Sequence, residues 1–174
     1  LTAGTKYYYH AYAANGGGTG YSNIDSFMTY LPPAAPGIVI SQVYGAGGNA
    51  GATYNQDFVE LFNRSASTID ISGWSIQYAS GAGTTWQVVA IPATTTIDPG
   101  KYYLIGLASG GTSGVPLPTP DLTGTIPMAA TPGKVALVND AIALSGASAC
   151  NSASVVDVLG YGSTASCYES VLFN

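Results

Sequence analysis

Few residues in this chain have side chains that ionise, ligate or attack. There are nine Asp and Glu, four Lys and Arg, one His and two Cys in 174 residues. The nearest approach to a carboxylate pair is Asp57 with Glu60, both in the run Asp57-Phe58-Val59-Glu60-Leu61-Phe62-Asn63, which reads as a strand. Residues three apart in a strand face opposite sides of the sheet, so these two do not converge as acid and base. Glu60 then belongs on an outer face, bonded to nearby backbone or to Arg64. Asp57 with Asn49, Asn55 and the carbonyls of the loop 45–53 offers oxygen ligands of the kind Ca2+ takes. One firm carboxylate makes that a weak candidate, and no other metal or cofactor is expected. His10 stands in a tyrosine run without a Ser or Cys nucleophile motif, so no catalytic triad is supported. The expectation is a protein that is not an enzyme.

Cys150 and Cys167 are seventeen residues apart in a context of Gly, Ser and Ala. No His or third Cys stands near to complete a zinc site, and no C-x-x-C redox motif is present. Either a disulfide of an extracellular protein or two free thiols fits the spacing. A disulfide would close a loop worth roughly 3 kcal/mol in the chain-entropy picture.

Composition narrows the partners. Charged residues are 7% of the chain, hydrophobic residues 47%, and the formal net charge is −5. Four basic residues cannot build a cationic patch, which argues against nucleic acid as a ligand. A surface so poor in charge has weak repulsion between copies and favours association. No apolar run of about 18 residues suggests membrane insertion. The chain opens at Leu1 without Met or a signal peptide, which reads as a piece of a longer secreted precursor.

The elements that must position these residues are strands. Lys6 to Ala13, loaded with tyrosine, and Ile24 to Tyr30 read as two strands around a glycine-rich loop, Asn15 to Gly20. A two-stranded hairpin is marginal alone in water and leaves open edges, so this N-terminal arm, residues 1–30, must pack on something. Tyr7, Tyr9, Phe27 and Met28 are its candidate anchors. Residues 31–37, with three prolines, form a semi-rigid linker.

From 38 to 174 the pattern is all-β: short apolar runs separated by turn signals such as Asp98-Pro99-Gly100, with no helical period. Trp74 fits the core, and Trp86 fits either the core or an exposed contact anchor. The proline-rich stretch between Ala108 and Ala130 reads as a flap over a sheet face, with Leu117, Leu122 and Ile126 turned inward. Asn63-Arg64-Ser65 matches the glycosylation sequon, although a strand-end turn explains it equally well. Val171, Leu172 and Phe173 read as one more strand.

Ile38 to Tyr44, the glycine-rich loop after it, Asp57 to Asn63, Ile71 to Ile76, Asp98 to Leu104, Lys134 to Leu137 and Val156 to Gly162 together resemble a bacterial lamin-tail domain over about residues 38–168. The resemblance implies an immunoglobulin-like β-sandwich without catalytic activity, in secreted or surface proteins. The stretches Leu1 to Tyr9 and Ala11 to Gly16 resemble the last strands of a fibronectin type III domain, with Tyr7 at the place of a tyrosine corner.

The functional expectation is a secreted or cell-surface structural subunit. Other copies of itself are the expected partners, joined by strand addition into a fibre or surface layer. Cell-surface or matrix polymers are further candidate partners. The alternatives are an accessory binding or spacer module of a larger secreted enzyme such as an extracellular nuclease, and a carbohydrate-binding module using Trp86 and surface tyrosines.

Overall fold

The structure, a computed structural model, describes residues 6–28, 37–146 and 149–168. The chain divides into two compact units, residues 1–35 and 36–174.

The first unit holds β1 (Lys6–Tyr9), β2 (Tyr12–Asn15), β3 (Gly18–Tyr21) and β4 (Asp25–Met28). β1 pairs with β4 and β2 with β3, both antiparallel. They form one long ribbon interrupted where His10 and Ala11 lie across from Ser22, Asn23 and Ile24. The one extra residue there is a bulge-like irregularity, spanned by bonds from the Ser22 amide to the Ala11 carbonyl and from the Ala11 amide to the Ser22 hydroxyl, each 2.9 Å. The expected pair of strands is therefore four. β3 lies within what reads as loop because Gly18 and Gly20 hide its alternation. The tip is Gly16-Gly17, where Gly17 N–H donates to Asn15 Oδ1 at 2.8 Å and Gly18 takes a φ of 127°, a backbone open to glycine. The expected strand residues Thr29 and Tyr30, linker residues 31–36 and the apolar tail Val171 to Phe173 lie outside the described residues.

The second unit is an all-β sandwich. Its strands are β5 (Ile38–Tyr44), β6 (Phe58–Asn63), β7 (Ile69–Asp70), β8 (Ser75–Ser80), β9 (Gln87–Ala90), β10 (Thr96–Ile97), β11 (Tyr102–Gly106), β12 (Leu122–Thr123), β13 (Gly133–Val138) and β14 (Val155–Tyr161). One sheet has the order β12-β11-β6-β5 and the other β14-β13-β8-β9, with β7 and β10 as a short pair. All neighbours are antiparallel except β11 and β12.

Alternation along the strands builds the core. Val59 and Leu61 of β6 face Ile76 and Tyr78 of β8 and Val135 and Leu137 of β13, all buried with Ile105, Ile126 and Met128. The intervening residues of β8 and β13 are buried as well: Ser75, Gln77 and Ala79, and Lys134, Ala136 and Val138. The loop segments 139–146 and 162–168 lie over that outer face, where Trp86, Leu144 and Cys167 form a second apolar cluster with Ala136 and Val138. Gln77 anchors the covering chain, donating to the Ile142 carbonyl at 2.8 Å and accepting from the Leu144 amide at 2.8 Å.

The segment 108–130 does not lie as a flap over a sheet face. It runs along the glycine-rich loop, with bridges Gly48–Ser113 and Tyr54–Val115. It then adds β12 to the first sheet and passes Ile126 and Met128 into the core. Leu122 packs against that core, whereas Leu117 is half-buried outside it. The turn at Asp98-Pro99-Gly100 forms as its residues dictate, with Lys101 N–H bonded to the Asp98 carbonyl at 3.1 Å and Gly100 at a φ of 68°.

Candidate assembly interface

The ribbon carries most of the large exposed side chains. Register places Tyr7 across from Phe27 and Tyr9 across from Asp25, so one face holds all four. Ring centroids of Tyr7 and Phe27 lie 5.9 Å apart and those of Tyr9 and Phe27 6.1 Å. The Tyr9 hydroxyl donates to Asp25 Oδ2 at 3.1 Å. Three of the four expected anchors are thus neighbours. Met28 pairs with Lys6 in register, one residue out of phase with Phe27, and its side chain lies outside the described residues. Beyond the irregularity a second aromatic group forms: His10 stacks on Tyr21 at 4.9 Å, and Tyr12 stands across from Tyr21 at 6.2 Å. Tyr12 and Tyr21 are not among the expected anchors, because the strand that pairs them is the one hidden by glycines.

In the sandwich the sequence-predicted polar residues are structural. Asp57 is buried, and its two carboxylate oxygens accept from Gly47 N–H and Met128 N–H, each at 2.8 Å. Its own amide donates to the Ala108 carbonyl at 2.8 Å and its carbonyl accepts from Leu107 N–H at 2.7 Å. One residue thereby ties the glycine-rich loop, β6 and both ends of the 108–130 segment together. Burial pushes its pKa up from the ordinary value, while the two amide bonds oppose the shift. A calcium ion would have to compete with both amides for Asp57. The loop closes on itself through the Asn49 amide to the Ala46 carbonyl at 3.1 Å, and the Asn55 amide reaches Val115 O at 2.9 Å. Among the described residues no group of three or more His, Cys, Asp or Glu stands together for a metal.

Glu60 is on the outer side of β6, where it accepts from the Ser41 hydroxyl at 2.7 Å rather than from Arg64. Asn63, within the sequon, is fully buried, with Nδ2 donating to the Ser67 and Ile97 carbonyls and Oδ1 accepting from Ser65. The strand-end turn is its role. Trp86 is 4% exposed and donates to the Gly146 carbonyl at 3.1 Å, which places it in the core and removes it as a surface anchor. Cys150 and Cys167 form a disulfide with Cα atoms 5.8 Å apart.

Two further residues escape the sequence pattern. Lys134 is buried, its ammonium donating to the Gly83 carbonyl and the Ser166 hydroxyl, both at 2.8 Å, and lying 5.2 Å from the Trp86 ring centroid. Burial lowers its pKa. A near-continuous apolar run, Val135-Ala136-Leu137-Val138, is the sequence sign of a strand covered on both faces. Asp157 of β14 accepts from Ile40 N–H at 2.7 Å, beside the register shift between Ile40 and Gln42. Its carboxylate thus caps an amide on the edge of the first sheet.

Residues 32–163 match the family described as Lamin Tail Domain. The chain belongs to the lamin tail domain family. That match places the immunoglobulin-like sandwich where the residue motifs put it, beginning a few residues earlier and ending before Cys167. No curated protein matches the chain. The lamin tail domain is a structural family, in keeping with buried polar residues here that serve backbone amides and carbonyls. The second half of the disulfide, Cys167, and the Ser166 partner of Lys134 lie beyond the matched residues, so the outer layer of this lamin tail domain is closed by chain outside the family pattern.

Proposed function

We propose that the protein is a non-catalytic extracellular structural subunit whose N-terminal ribbon adds to a β-sheet of a neighbouring copy, building a fibre or surface layer. The observation that carries this reading is the ribbon itself. It is two strands wide, and Tyr8, Tyr9, Tyr12, Tyr21 and Ile24 are each more than half exposed. Strand addition would pair its edge amides and carbonyls and bury alternate side chains. Tyr7, Tyr9 and Phe27 share a face and supply the apolar contact. β9 ends the order of the second sheet and is four residues long, the length of each ribbon strand. A head-to-tail contact of this kind does not close on itself and therefore propagates. The scarcity of charge, 7% of residues, weakens repulsion between copies.

Light scattering and electron microscopy of the purified full chain, compared with a version lacking residues 1–28, test the reading. The full chain should form concentration-dependent assemblies and the truncated chain should stay monomeric. Monomers in both cases would overturn self-assembly and favour the accessory module of a larger secreted enzyme.

A further inference from the structure

Tyr12 and Tyr21 stand directly across from each other in the β2–β3 pairing. Their ring centroids are 6.2 Å apart with planes tilted by 42°, and the two residues are 71% and 64% exposed. Cross-strand neighbours of this kind keep their rings together while the surface side chains still rotate on a fast timescale. Among the described residues the ribbon's ladder sets no other two tyrosines across from each other: Tyr7 pairs with Phe27, Tyr8 with Ser26 and Tyr9 with Asp25. Tyr44 and Tyr54 also touch, at 5.9 Å, but edge to face and half-buried.

We propose that Tyr12 and Tyr21 are a modification site that forms an intramolecular dityrosine cross-link when a peroxide, activated by a haem peroxidase, supplies the oxidation. Each phenol gives up one electron and its O–H proton, leaving a radical with spin on the ring carbon ortho to oxygen. The two ortho carbons join in a new carbon–carbon bond. Each ring then moves its ortho hydrogen, as a proton, to the phenol oxygen and regains aromaticity. The net loss is two electrons and two protons, which reduce one hydrogen peroxide to two waters. Holding both rings on one hairpin makes coupling effectively unimolecular, so it outruns coupling between molecules in dilute solution. The product staples the pairing of the hairpin tip, and it does so whether or not the ribbon adds to a neighbour.

The test treats dilute full-length protein with a haem peroxidase and hydrogen peroxide, and reads dityrosine fluorescence and intact mass. The expected result is a fluorescent monomer lighter by two hydrogens. Tyr12→Phe and Tyr21→Phe should each lose that product, and Tyr54→Phe should keep it. Absence of the product in the wild type, its survival in Tyr12→Phe or Tyr21→Phe, or coupling only between molecules would overturn the assignment.

Discussion

The ribbon and the sandwich use similar residues to opposite ends. In the sandwich, Tyr78 and Tyr161 are drawn into the structure around the 128–130 segment. The Tyr78 hydroxyl accepts from Ala129 N–H at 2.9 Å and the Tyr161 hydroxyl donates to the Ala129 carbonyl at 2.7 Å. Burial, the Tyr78 hydroxyl and the nearby Asp57 charge push the Tyr161 phenol upward. In the ribbon, Tyr12 and Tyr21 touch ring neighbours on the same hairpin and stay mostly exposed. The sandwich satisfies its polar groups internally, and no buried side-chain nitrogen or oxygen among the described residues lacks a partner. The ribbon leaves Tyr8, Tyr9, Tyr12, Tyr21, Ile24 and Phe27 exposed along its length. One unit buries its polar and apolar side chains within itself, and the other leaves its aromatic side chains on the surface.

The hardest way to strain that contrast is to remove the hub of the sandwich. Asp57→Ala leaves the Gly47 and Met128 amides buried without acceptors, each costing about 1–3 kcal/mol. The protein should lose that stability in urea unfolding. The loss should also depend on pH. The folded pKa of Asp57 lies above its unfolded value, so its contribution is fully present below the unfolded value and declines as pH rises through the folded one. The gap between wild type and Asp57→Ala should therefore narrow with rising pH. A gap that widens over that range would mean the amide bonds outweigh burial.

A cavity in the core should come next. Leu137 is fully buried between the sheets, and Leu137→Ala should cost about 2–5 kcal/mol, read as a lower unfolding midpoint with unchanged denaturant slope. A cost under about 1 kcal/mol would show that the layers collapse around the gap, and would weaken the view of a rigid, self-sufficient sandwich.

The same division decides how far the amino-acid sequence alone announces each unit. The sandwich is legible because its strands alternate, its turns carry Pro and Gly where φ demands them, and several motifs agree in order. Asp98-Pro99-Gly100 forms its turn, and Ile126 reaches the core as its type suggests. Asp57 is visible as a lone acid, but its role depends on amides 10 and 71 residues away, which local pattern does not encode. Lys134 and Gln77 are buried because segments 139–146 and 162–168 lie over a face that strand alternation alone leaves to solvent. Trp86 is settled by the same covering layer. In the ribbon the difficulty is local: Gly18 and Gly20 remove the side chains that would announce β3, and with them the Tyr12–Tyr21 pair.

The smallest expected effect is the most discriminating. Tyr8 is 68% exposed on the ribbon, and Lys6 lies over its ring at 5.3 Å from the centroid. An exposed cation–π contact is worth about 0.5–1 kcal/mol, and it stabilises the ribbon alone. Tyr8→Thr keeps a strand-forming side chain, so the unfolding midpoint of the sandwich should move by no more than about 0.5 kcal/mol. The measurement is thermal or urea unfolding followed through the fluorescence of Trp74 and Trp86, both of which sit in the sandwich. A shift as large as that of Leu137→Ala would mean that the sandwich draws stability from the ribbon, and the contrast between a self-contained sandwich and an exposed ribbon would fail.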